Sequence, residues 1–181
     1  DLANYYAHLA RQLDRMQGAS FEPVRVTLAI PGWIPPLSSA ANVVLSVLAA
    51  GSAAILVPAP RSERTAAILA RVLWATDLPS NLVQLAANDH QRLSEDQFTR
   101  ELIVDERIER VLMQGQYETA AHFLQWRADL PLMGASGGKS SAIVTPAADY
   151  DLAARDIAES VIGAGGQDPL RPSVVMLVGA A

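Results

Sequence analysis

Six short apolar runs, separated by segments of helical periodicity, restrict the folds open to this chain more than any other feature. They are VRVTLAI (24–30), SAAILVP (52–58), NLVQLAA (81–87), RVLMQ (110–114), SAIVTP (141–146) and SVVMLVG (173–179). Runs that are apolar throughout, instead of alternating with polar residues, are what a strand shows when both faces of its sheet are covered. The segments 1–17, 38–51, 62–76, 90–102, 117–127 and 149–165 carry the spacing of helices, the first placing Leu2, Tyr5, Tyr6, Leu9, Leu13 and Met16 on one stripe before Gly18. Ser62 is placed as a helix N-cap and a serine at the start of 38–51, which closes on Gly51. Strand alternating with helix predicts an α/β fold, a doubly wound and mostly parallel sheet with helices on both faces, Rossmann-like. A chain of 181 residues fits one such domain over 1–181.

Composition removes several function classes. Fourteen Lys and Arg against 19 Asp and Glu, scattered along the chain, leave no basic footprint for nucleic acid or an anionic membrane. The absence of cysteine excludes a disulfide framework, a thiolate metal site and a cysteine nucleophile, and fits a cytoplasmic chain. His8, His90 and His122 lack metal-ligand spacing and read as surface or satisfied core residues. The run from Ala49 to Ala59 is too short for a bilayer, which needs about 20 residues. A start without Met and an end at MLVGAA read as a piece of something longer.

The glycine-rich stretches do not meet the demands of phosphate binding. GASGGKS (134–140) places three residues, not four, between its first glycine and the Gly-Lys pair, and a strand instead of a helix is expected after it. GAGGQD (163–168) misses the last glycine of the dinucleotide fingerprint and follows a helix. The carboxylate pairs Glu95 and Asp96, Asp105 and Glu106, and Asp149 and Asp151 stand in polar stretches and read as caps and solvated faces. Trp33, Trp74 and Trp126 read as core or rim aromatics.

Taken in order, the stretches GWIPPLSSAANVVLSVLAAGSAAILVPAP, VLMQGQYETAAHF and LMGASGGKSSAIVTPAADYDLAARDIAESVIGAGGQ resemble successive motifs of the aldehyde dehydrogenase superfamily. RADLPLMGASGGKSSAIVTPAADYDLA is most similar to the glutamate-semialdehyde dehydrogenase branch, as in bifunctional proline-catabolic enzymes of the proline utilization A type.

The resemblance implies roles that the residues present do not fill. The family's nucleophilic cysteine corresponds to Pro169, two residues after Gly166 and Gln167. Its general-base glutamate corresponds to Ala135, and its oxyanion-hole asparagine to Ile34. The lysine and glutamate that hold the adenosine ribose of NAD correspond to Val57 and Pro60, while Gly115 keeps the glycine of the pyrophosphate turn. The resemblance therefore implies a non-catalytic domain that binds no cofactor itself, within a parent carrying FAD-dependent proline dehydrogenase and NAD-dependent glutamate-semialdehyde dehydrogenase activities. Its expected partners are the other domains of that parent, chiefly the dehydrogenase whose active site and intermediate path it would cover. Two other readings are a vestigial dinucleotide or small-ligand sensor built on Gly115 and the mouth of the sheet, and a dehydrogenase using Ser136, Ser140 or Ser173 as nucleophile, none of which has a histidine beside it in sequence.

Overall fold

A computed structural model gives the fold. It describes every residue except 14, 19, 87, 89–92, 137, 180 and 181, and at 135 and 136 the backbone alone. The chain divides into two compact units, 1–136 and 137–181.

The first unit runs α1 (Leu2–Leu13), β1 (Val26–Ile30), α2 (Pro36–Ala49), β2 (Ala53–Leu56), α3 (Glu63–Trp74), β3 (Val83–Leu85), α4 (Glu95–Val104), β4 (Arg110–Gly115), α5 (Tyr117–Trp126) and β5 (Leu132–Ser136). The five strands form one sheet in the order β3-β2-β1-β4-β5, and every pairing is parallel. Because side chains alternate along a strand, β1 sends Leu28 to one face and Ala29 to the other. Leu28 packs with Val111 and Met113 of β4, Ile103 of α4 and Phe123 of α5. Ala29 packs with Ala54 and Leu56 of β2, Val43, Val44 and Val47 of α2, and Ala66 of α3. Helices thus cover both faces, as the continuous apolar runs predict. The chain goes outward through β2 and β3, then returns to the far side of β1 as β4, so the strand order reverses between β1 and β4. In open parallel sheets that reversal, at the carboxyl ends of the strands, is where a crevice for a ligand opens.

The second unit runs β6 (Ser141–Val144), α6 (Tyr150–Ile162), a 3₁₀ turn (Gly163–Gly166) and β7 (Val174–Leu177), with β6 and β7 paired in parallel. The strands expected as one series therefore fall into two sheets. A two-stranded sheet with one crossover helix has little to cover it, and all four residues of β7 are exposed.

Several boundaries differ from the sequence reading. β5 is a strand that the sequence reading leaves as loop; Gly134 and Ala135 belong to it and pair with Met113 and Gln114. Consecutive small residues carry little strand preference of their own, and pairing with β4 supplies the order. α1 stops at Leu13 and not at 17, leaving Met16 exposed. α2 starts at Pro36, with Pro35 as N-cap, so the serines lie inside its first turns. Ser62 does stand at the N-cap of α3, but its hydroxyl donates to the carbonyl of Ala59 and makes no cap bond. The helix expected from 90 begins at Glu95 behind a reciprocal Ser94 and Gln97 capping box, and residues 89–92 lie outside the described residues. α6 ends at Ile162, since Ala164, Gly165 and Gly166 all take positive φ.

Candidate functional site at the carboxyl edge of the parallel sheet

Five of the six positions singled out by the resemblance gather at one edge. Ile34 lies in the loop between β1 and α2, Val57 and Pro60 follow β2, Gly115 ends β4, and Ala135 lies next to the end of β5. In a parallel sheet the carboxyl ends of all strands share one edge, so topology alone assembles these positions from four distant stretches of sequence. Pro169 belongs to the second unit, exposed, beside a turn in which Asp168 Oδ1 accepts from the backbone N–H of Leu170 at 2.8 Å.

The edge is furnished with apolar and backbone groups. Val57 is 6% exposed, packed in the cluster that holds Leu28 and Met113, and its N–H donates to the carbonyl of Ala29 at 2.9 Å. Ile34 is half-buried and Pro60 exposed. Neither carries a hydrogen-bond donor in its side chain. Gly115 retains its place for a steric reason. A Cβ there would stand 3.1 Å from Cε of Met113, which also fills the space under Gly134, where a Cβ would meet Met113 Cγ at 3.1 Å and the Met113 carbonyl oxygen at 3.4 Å. On the other face of β4, Ser39 Oγ of α2 donates to Gln114 Oε1 at 2.5 Å. At the two ribose positions that the resemblance implies, Val57 and Pro60 offer no charged or donor side chain, and Met113 packs in the core beneath Gly115.

Of the alternative nucleophiles, Ser140 and Ser173 belong to the second unit and Ser136 ends the first. Ser140 is half-buried and Ser173 exposed, and the backbone N–H of Ser173 donates to the carbonyl of Ser140 at 2.7 Å. Ser140 lines a hollow of about 240 Å³ with Asp156, Ser160, Leu170 and Pro172, all within the second unit. That unit contains no histidine. His122 stands on α5 in the first unit, its Nε2 3.7 Å from Asp96 Oδ1 and its ring against Trp126, while His8 meets Gln12 on exposed α1 and His90 lies outside the described residues. Ser136 pairs with Gly115 through the register of β5 with β4.

The paired carboxylates act on local structure. Asp149 caps α6, its Oδ1 accepting from the N–H of Leu152 at 3.0 Å. Hydrogen bonds from the guanidinium and backbone N–H of Arg107 hold the Asp105 carboxyl at about 2. Glu95 and Asp96 lie in the first turn of α4, where negative charge is favoured by the helix dipole. Among the described residues no three His, Asp or Glu side chains gather to hold a metal ion, and no helix is long and apolar enough to cross a membrane. Trp74 ties α3 to β3 by donating from Nε1 to the carbonyl of Val83 at 2.8 Å, and Trp126 stacks on Phe123.

Comparison with known proteins agrees with this architecture. The family model for the aldehyde dehydrogenase family matches residues 1–179. The chain is 28% identical over 161 residues to 3,6-anhydro-alpha-L-galactose dehydrogenase of Streptomyces coelicolor, covering 88% of this chain and 32% of that one. It is 29% identical over 159 residues to a 1-pyrroline-5-carboxylate dehydrogenase of Bacillus thuringiensis, covering 82% and 29%. Among solved structures, proline utilization A from Corynebacterium freiburgense superposes with a TM-score of 0.88 at 32% identity, over 99% of this chain and 18% of that one. The chain thus spans about a third of the length of these two curated relatives.

Proposed function

We propose, from the fact that this chain belongs to the aldehyde dehydrogenase family, that it is a non-catalytic member serving as a structural domain of a bifunctional proline-catabolic enzyme. In this reading it covers or completes the active site and intermediate path of a neighbouring glutamate-semialdehyde dehydrogenase, in the cytoplasm, within a parent that also carries proline dehydrogenase and uses FAD and NAD in its other domains.

One observation carries the reading. At the three positions where the resemblance implies a thiolate, a general base and an oxyanion donor stand Pro169, Ala135 and Ile34. Aldehyde oxidation by this family's route needs a nucleophile to form a covalent adduct, a base to activate water against the acyl intermediate, and a donor aimed at the developing oxyanion. None of these three side chains can do its part, and losing three independent functions together leaves no partial reaction to retain. Support for the parent comes from the likeness to proline utilization A along nearly the whole chain, which leaves most of that longer chain for other domains. A ligand-sensing role at the same edge would rest on Gly115, and the packing of Met113 accounts for that glycine without a ligand.

The deciding experiment compares the full-length parent with the parent lacking these 181 residues, following proline oxidation and semialdehyde-dependent NADH formation separately. Loss of the semialdehyde or coupled reaction with proline oxidation intact is the expected result. Unchanged rates in both would remove the covering role, and semialdehyde oxidation by the purified 181-residue chain would remove the non-catalytic one.

A further inference from the structure

We infer that the ligand crevice of this Rossmann-type sheet is closed from within, by a tie between Ser39 and Gln114 on one face of β4 and by Met113 on the other, so that a nicotinamide dinucleotide has no place at the strand-order reversal. This goes beyond the loss of chemistry at the three catalytic positions. It stands apart from the covering role, which the deletion experiment tests by itself.

The sheet reverses between β1 and β4, and the loop leaving β1 and the end of β4 are its two walls. Met113 and Gln114 are the last residues of β4 before Gly115, and alternation sends their side chains to opposite faces. Gln114 reaches Ser39 in the second turn of α2; the hydroxyl donates to the amide oxygen at 2.5 Å, and Ser39 is 6% exposed. The loop from β1 closes over this pair, since a Cβ on Gly32 would lie 3.3 Å from Ser39 Oγ and 3.7 Å from Gln114 Cβ. Loop, helix and strand therefore meet at one hydrogen bond spanning 75 positions of sequence. On the other face Met113 is 1% exposed and packs tightly beneath Gly115 and Gly134.

The start of α2, on the other wall of the crevice, is poor in donors as well. A helix N-terminus attracts an anion through its free N–H groups. Here the N-cap is Pro35 and the first helical residue Pro36, neither of which has an N–H, and the N–H of Ser39 is bonded to the Pro35 carbonyl. Half of the usual four donors are absent at this end of the crevice.

Two measurements on the full 181-residue chain test the inference. NADH at about 5 mM is expected to leave the midpoint of thermal unfolding within about 1 °C, whereas a site of about 50 µM affinity would raise it by about 5–10 °C. Ser39→Ala and Gln114→Ala are each expected to lower the midpoint by about 2–6 °C, with the double variant no lower than the worse single one, and to speed amide exchange at Gly32, Trp33 and Ile34 while leaving β2 unchanged. A rise of that size with NADH would overturn the inference. So would single losses that simply add, because they would mean that the two side chains do not act as one tie.

Discussion

Arg127 Nη1 donates to the carbonyl of Ile108 at 2.8 Å and lies 3.5 Å from the carbonyls of Ile103 and Asp105. One guanidinium thereby serves the end of α4 and the turn that leads into β4. Backbone carbonyls at a helix end have no partner within the helix, and leaving a buried one unmade costs about 1–3 kcal/mol. Arg127→Met keeps much of the apolar stem and removes the donors. It should lower the thermal midpoint by about 2–10 °C, and Arg127→Lys should recover little, because a single ammonium cannot copy the planar fork. Recovery by lysine would show that charge and not the fork matters at this place.

The helix and strand pattern was legible in the sequence where periodicity reports burial. VRVTLAI and RVLMQ are apolar on both sides because Leu28 and Ala29, or Met113 and Leu112, face opposite layers of helices. β5 was not legible, since LMGAS acquires order from its five pairings with β4 and not from its own residues. Nor was the division into two sheets, because SVVMLVG has the composition of a strand buried on both faces and yet its strand residues are all exposed. The positions 34, 57, 60, 115 and 135 could be singled out through the family resemblance, and their meeting follows from parallel topology. The Ser39 and Gln114 bond has no signal in either stretch taken separately.

Two half-buried acid groups give the chain a defined response to low pH. The Asp105 carboxyl is held at about 2 by the side chain and backbone of Arg107, and the Glu109 carboxyl is lowered by the backbone N–H and then the guanidinium of Arg25. Depressed carboxylates contribute stability that is present above their unfolded values, near 4, and is lost as pH falls through the folded ones. The urea midpoint should therefore fall between about pH 4 and pH 2. Asp105→Asn should be slightly less stable than the unaltered chain at neutral pH, with the gap narrowing as pH falls from about 4 through about 2. A gap of constant size across that range would mean that the pair with Arg107 contributes nothing through ionisation.

Two glycines around Met113 should differ in tolerance. At Gly134 an added Cβ meets Met113 Cγ and the rigid Met113 carbonyl oxygen, while at Gly115 it meets only Cε, the movable tip of the same side chain. Overpacking costs about 1–3 kcal/mol when neighbours cannot move. Gly134→Ala should lose that much by urea unfolding, and Gly115→Ala distinctly less. Met113→Ala introduced beside Gly134→Ala should relieve part of the Gly134 penalty in a double-mutant cycle, through the Cγ contact. Equal costs at both glycines would mean that Cγ and the carbonyl of Met113 resist an added methyl no more than its Cε does.

Val57→Lys places at the ribose position the residue that the family resemblance implies there, and so asks whether the cofactor edge is missing a fitting or has been rebuilt. Val57 is 6% exposed and packed among Leu28, Ile103 and Met113. A lysine with its head group taken out of water favours the neutral amine, so its folded pKa falls below the unfolded value near 10.4. The unfolded chain then binds more protons than the folded one, and stability rises with pH as that difference is withdrawn. The variant should be less stable than the unaltered chain at pH 6, recover part of the loss by pH 9, and show no NADH-dependent rise in its unfolding midpoint at either pH. If instead the lysine were tolerated at pH 6 and NADH stabilised the variant, the edge would be an intact cofactor site lacking one residue, and the internal closure by Met113, Gln114 and Ser39 would have to be abandoned.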